Sequence, residues 1–260
     1  MYDCLKDQFT VSIGADDLAR NHEGEPLSGR IENVCFENQT LDARAADLHF
    51  LNCTFARVRW SGDALHGARF ERCTFDAAAF AGVVFDACLF LACRSLEGGV
   101  DFSRAAFRYS EISDCAFLHP VFDGADLSRL SIRRSRLDGG RLKGALFARR
   151  IADDRSLSEF SLTDSVLRRS NLADAALTGG DFYGSQVVDC DLSRADLERT
   201  TFARGGFQNV KLGGALLGGA DLRGARFRQT DLSAARDWTG ARVDPEALDG
   251  LLPALGFKIG

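Results

Sequence analysis

Methionine occurs once and proline four times in 260 residues. No apolar run reaches the roughly 18 residues of a membrane span, so no transmembrane helix is expected. The opening MYDCLKDQFTVSIGADD has early charges and no apolar segment of signal-peptide length, so a cytoplasmic location is expected. Excess positive charge is also missing: 32 Lys and Arg stand against 37 Asp and Glu, a net charge of −5. That argues against a basic nucleic-acid-binding surface, and no direct nucleic-acid binding is expected. His22, His49, His66 and His119 are isolated, and no HExxH, P-loop or GxSxG motif occurs. The expectation is therefore a protein that is not an enzyme and uses no cofactor or catalytic metal.

What the chain does contain is phenylalanine, 20 residues, and glycine, 26 residues. Such a bias suggests regular packing of one side-chain shape, and the spacing bears this out. Phe102, Phe107, Ile112, Phe117, Phe122, Leu127, Ile132, Leu137, Leu142 and Phe147 follow one another at steps of five. From Leu157 the same step runs through Leu162, Leu167, Leu172 and onward to Leu222, Phe227 and Leu232. An earlier block runs from Phe50 through Trp60 to Phe90, and a short one holds Ile31, Phe36 and Leu41. Two places before most of these large residues stands a small one, such as Ala125, Ser165, Ala195 or Ala220. A period of five matches neither a helix nor a flat strand. It predicts a solenoid wall in which a small and a large side chain point inward and polar residues face water.

The runs GADLS (124–128), RADLE (194–198) and GADLR (219–223) resemble pentapeptide-repeat proteins. That resemblance implies an all-β fold, a right-handed quadrilateral β-helix of about ten coils stacked at the strand spacing of roughly 4.8 Å. The expected organisation is a lead-in over 1–30, the β-helix over 31–236 and a C-terminal capping and dimerisation segment over 237–260. Cys53, Cys73, Cys88, Cys93, Cys115 and Cys190 all fall on the inward small position. Their spacing forms no CxxC pair, so they read as buried, reduced thiols filling space rather than as metal ligands.

Interruptions of a monotonous wall carry the information about function. Between Phe90 and Phe102 the spacing is twelve rather than ten, and RSLEGG (94–99) predicts a short projecting loop containing Arg94, Ser95, Leu96 and Glu97. Between Phe147 and Leu162, ARRIADDRSLSE (148–159) places Arg150 and Arg155 where small buried residues belong. Burying an unpaired Arg is expensive, so this stretch is expected to leave the wall without upsetting its register. Arg149, Arg150, Ile151, Asp153, Asp154 and Arg155 are its candidate contact residues. A third irregularity near Ala46–Phe50 reads as a bulge or a corner. At the far end, Asp244 and Pro245 suit a helix start, followed by Leu248, Leu251, Leu252 and Leu255. With Phe257 and Ile259 they predict a cap that also pairs two copies of the chain.

The two interruptions, the ending LLPALGFKIG and the start RNHEGEPLSGRIENVCF together resemble the quinolone-resistance (Qnr-type) proteins. The resemblance implies a homodimer that binds DNA gyrase or topoisomerase IV and relieves poisoning by drugs that trap cleaved DNA. Two routes are open under that reading: mimicry of duplex DNA by the rod, and contact through the loops. Stacking every fourth pentapeptide puts Ile112, Ile132, Ala152, Leu172 and Leu192 in one column carrying both charge signs. A neighbouring column through Phe107 and Leu127 is basic. A uniform negative field is not expected, and the loops are the favoured contact. The alternatives are a scaffold for another protein partner and self-protection against a different gyrase-directed toxin.

Overall fold

Each pentapeptide forms one side of a coil because its positions do different work. In Gly219–Arg223 of the computed structural model, Ala220 and Leu222 are buried at 0% and 2% exposure. Gly219 turns the corner with φ 67°. The aspartate between the two inward residues has its own task. Its carboxylate accepts the main-chain N–H two residues on, as in Asp191 to Ser193 (2.9 Å) and Asp196 to Glu198 (3.0 Å). This aspartate turn satisfies an N–H at the bend that the ladder cannot reach. The ladder itself runs along the axis: Leu222 N–H donates to Arg242 O at 2.8 Å, one coil on.

The structure describes residues 27–41, 45–152 and 155–245. Within them the chain winds as a parallel β-solenoid with four faces, matching the fold expected from the repeats. On one face ten short strands stack in a single parallel sheet, from Cys35–Glu37 to Arg226–Arg228. Successive partners are mostly twenty residues apart, as in Phe207 with Phe227. The irregularity at Ala46–Phe50 is a corner inside one strand, Ala45–Leu51. Its first residues pair with Leu65 and His66, and its last with Arg69–Glu71. Asp47 turns the bend with φ 55°. Corners elsewhere put Asn, Asp and Arg in the left-handed region, for example Asn52 (53°), Arg72 (52°) and Asp114 (56°).

The large residues fill one continuous core. Phenyl rings one coil apart lie parallel, as in Phe50 over Phe70 (5.0 Å) and Phe70 over Phe90 (4.7 Å). Rings on adjacent faces meet edge to face, as in Phe85 and Phe90 at 5.4 Å. Each such pair adds about 0.5–1.5 kcal/mol beyond its area burial. The phenyls dominate up to Phe122, and leucines take over beyond it.

The six inward cysteines are buried and unpaired with one another by disulfides. Their thiols donate to main-chain carbonyls, as in Cys88 to Leu65 O at 3.2 Å and Cys93 to Phe70 O at 3.2 Å. Burial pushes the Cys88 and Cys190 thiols up to about 11. Beyond Cys93 and Cys115, serine replaces cysteine in their column: Ser135, Ser165 and Ser185 each accept a main-chain N–H from the coil before. Among the described residues no helix is long and apolar enough to cross a membrane.

The register across the second interruption differs from the column expected by simple counting. Ile132 stacks on Leu162, thirty residues away, and not on Ala152. Elsewhere the step is twenty, as in Ile112 with Ile132. The difference, thirty minus twenty, is ten residues that leave the wall between the two coils. Columns assembled across this point by sequence step alone therefore mix faces.

Candidate functional site: a hairpin at one corner of the rod

The ten displaced residues form a β-hairpin. Strands Arg149–Ala152 and Arg155–Leu157 pair antiparallel, Arg149 with Leu157 and Arg150 with Ser156. Every other strand pairing among the described residues is parallel, so this element is distinct from the wall. Its main chain carries Arg149, Arg150, Ile151 and Arg155. Asp153 and Asp154 lie outside the described residues.

The base of the hairpin is closed by packing and by main-chain capping. Phe147 and Phe160 are both buried, with ring centroids 5.0 Å apart and planes at 81°. Ser158 Oγ donates to Phe147 O at 2.7 Å, and Phe160 N–H donates to the same hydroxyl at 3.2 Å. Glu159 N–H donates to Ser128 O at 3.0 Å, which returns the chain to the ladder. On the surface beside this base, the Glu159 carboxylate meets Arg129 at 3.1 Å. The Arg129 guanidinium lies 4.6 Å above the Tyr109 ring. Tyr109 is 64% exposed and Leu146 53% exposed, unusual for such side chains in this molecule. The hairpin thus rises beside a polar-aromatic shelf of Tyr109, Arg129 and Glu159, with an apolar neighbour in Leu146.

Sequence reasoning found the excursion and missed the shelf. Two signals were available. Tyr109 occupies a left-handed corner (φ 52°) where most coils place Asn, Asp, Arg or Gly. Leu146 puts a large apolar side chain on an outward position that holds Asp126 one coil earlier.

The first interruption is a smaller feature than a projecting loop. Arg94 and Ser95 belong to the wall: Arg94 pairs with Thr74 and Ala116, and Ser95 with Phe75. Ser95 occupies the inward position usually held by a large residue. Its hydroxyl donates to Leu118 O at 2.9 Å and accepts Leu118 N–H at 2.7 Å. Leu96 N–H still donates to Phe75 O at 2.8 Å. The insertion is taken up in a tight turn at Glu97 and Gly98, closed by Gly99 N–H to Leu96 O at 2.9 Å. Asp76 accepts Gly98 N–H at 3.0 Å. This turn links the ten-stranded face to the sheet containing Val100–Asp101, whereas the hairpin leaves from the coil side carrying Leu146 and rejoins at Ser161. The two features stand on opposite corners of the rod and do not form one site. Leu248, Leu251, Leu252, Leu255, Phe257 and Ile259 lie outside the described residues. Among the described residues, no group of His, Cys, Asp or Glu could hold a metal ion.

Comparison with known proteins agrees with this geometry. The family described as pentapeptide repeats (8 copies) matches residues 181–219 and 206–236. The chain is built of pentapeptide repeats and has the pentapeptide-repeat fold. Full-length QnrB1, a plasmid-mediated fluoroquinolone resistance protein, matches 88% of this chain and 100% of its own at 21% identity and a TM-score of 0.53. A trypsin-treated, singly substituted form of the same protein matches 87% and 99% at 20% identity and a TM-score of 0.51. HetL, a pentapeptide-repeat protein involved in heterocyst differentiation regulation in Nostoc, matches 75% and 86% at 18% identity and a TM-score of 0.24. No curated protein sequence matches the chain.

Proposed function

We propose that this protein binds a type II DNA topoisomerase, DNA gyrase or topoisomerase IV, and protects it from quinolone-type poisons. The observation that carries the reading is the hairpin of 149–157, an antiparallel projection on an otherwise parallel wall whose overall fold is that of QnrB1. The hairpin and the adjacent Tyr109, Arg129 and Glu159 are the contact, and on the opposite corner the exposed Arg94 and Glu97 contribute a separate, secondary edge. Function then lies in the attached element, with the rod as its rigid support. DNA mimicry is a minor part. Charges of opposite sign are paired along the corners, as in Arg134 with Asp114 (2.7 Å) and Arg194 with Asp174 (2.6 Å). Such alternation cancels the long-range negative field that a DNA mimic needs. The active form is a homodimer joined through the segment that includes Leu251 and Leu255, and it acts in the cytoplasm without catalysis.

The test is gyrase supercoiling in the presence of ciprofloxacin, with the purified protein titrated in. Recovery of supercoiled product at up to micromolar protein is the expected result. Absence of recovery, with both gyrase and topoisomerase IV, refutes the reading and leaves a scaffold for another protein partner.

A further inference from the structure

The last coils of the face that runs from Cys35–Glu37 to Arg226–Arg228 hold a groove of about 570 Å³. It is lined by Gln186, Arg204, Gly206, Gln208, Arg226 and Arg228 and floored by Phe207. Earlier on this face one carboxylate answers two cations. Asp138 accepts Arg136 at 3.0 Å and Arg169 at 2.6 Å. At the register position of Asp138, later coils carry Arg168, Val188, Gln208 and Arg228, none of them acidic. No ion pair involving Arg204, Arg226 or Arg228 is formed among the described residues. All three are exposed.

Glycines give the groove its depth. Gly206 stands between Gln186 and Arg226 in the outward column, and a side chain there would collide with the Gln186 amide. Gly224, at φ 71°, turns the next corner beside the Arg204 stem. Arg204 also faces the Tyr183 ring at 6.0 Å. At the rim the Asp244 carboxylate accepts Gly224 N–H.

The chemistry of this lining selects a ligand. Three guanidinium forks match carboxylate or phosphate oxygens. The amides of Gln186 and Gln208 each offer an acceptor as well as donors. A phosphate backbone has no N–H for those acceptors, whereas a peptide does. We infer that this groove binds an acidic stretch of a protein partner, its carboxylates held by Arg204, Arg226 and Arg228 and its peptide groups by Gln186 and Gln208. The inference does not rest on the topoisomerase reading, because the groove lies apart from the hairpin.

The experiment measures fluorescence anisotropy of a labelled oligoglutamate peptide titrated with the full chain. The groove variant is Arg226→Gln with Arg228→Gln. The control is Arg134→Gln with Arg194→Gln, which changes net charge equally but touches ion-paired arginines elsewhere. Saturable binding is expected, weakened by about tenfold or more in the groove variant and by less than about twofold in the control. Circular dichroism of both variants should match the parent, since all four side chains are exposed. Equal weakening in both variants overturns the site in favour of net charge, and no binding by the parent overturns it outright. Tighter binding of an oligothymidylate than of the peptide, lost in the groove variant, replaces the acidic partner with a phosphate backbone.

Discussion

Phe147 and Phe160 meet edge to face at 5.0 Å, with the whole hairpin lying between them in sequence. The contact lets the wall close beneath the excursion, so Ile132 stacks on Leu162 as though nothing intervened. Removing residues 148–157 restores the twenty-residue step and joins Phe147 directly to Ser158, the counterpart of Leu127–Ser128 one coil earlier. The shortened chain should retain its far-UV circular dichroism and melt within a few degrees of the parent. In the ciprofloxacin supercoiling assay it should give no recovery. Full recovery would move the contact away from the hairpin.

A milder change tests the shelf at its base. Tyr109→Ser with Arg129→Gln removes the stacked pair and frees Glu159 while leaving every ladder bond in place. We expect at least a threefold higher protein requirement for half-recovery, about 0.7 kcal/mol of contact energy. An unchanged requirement would confine the contact to the hairpin itself.

The inward small position leaves no space for a long cation. Ala195 is fully buried between Leu192 and Leu197. Ala195→Arg should cost more than about 3 kcal/mol, because an unpaired charge would be held inside the coil. Thermal melting is the measurement, and an unchanged midpoint would contradict the packing described. The thiols give a second check of the same interior. Cys53, Cys73, Cys88, Cys93, Cys115 and Cys190 should stay unreactive to Ellman's reagent in the native protein and react on unfolding.

Asp138 predicts an acid dependence. Its side chain is 3% exposed. Burial works against its charge, yet hydrogen bonds from Arg136 and Arg169 outweigh burial and hold its pKa below the usual value. A depressed folded pKa means stability present above the unfolded value, about 3.9, and lost as pH falls through the folded one. Asp138→Asn should therefore lower the melting temperature at pH 7. The gap between variant and parent should shrink as pH drops below about 4. A gap that stays constant with pH would show that the loss is one of packing alone.

Much of this fold is written in the period of five. The small residue, the aspartate and the large residue of ADL each have a local reason, respectively room, an N–H to cap and core to fill. Even the cysteines and the hairpin follow from asking which side chains the interior can hold. What could not be read is what depends on three-dimensional stacking. Ser95 passes for a loop residue in sequence, but its hydroxyl bonds both polar groups of Leu118 and so holds a core position. The Tyr109–Arg129–Glu159 shelf joins three separate coils. The Arg226 and Arg228 groove depends on which neighbours lack carboxylates one coil away. Neither leaves a mark within a single repeat.

The change from phenylalanine to leucine beyond Phe122 has a kinetic consequence. In a stack where each coil touches only its neighbours, stability is close to a running sum along the axis. The aromatic half holds more energy per layer than the aliphatic half. Heat or denaturant should therefore peel the molecule from its C-terminal coils towards a persistent aromatic seed, and refolding should grow outward from that seed. Amide hydrogen exchange would display this as a front moving through the leucine coils first, making the rod a ratchet with a preferred direction of assembly.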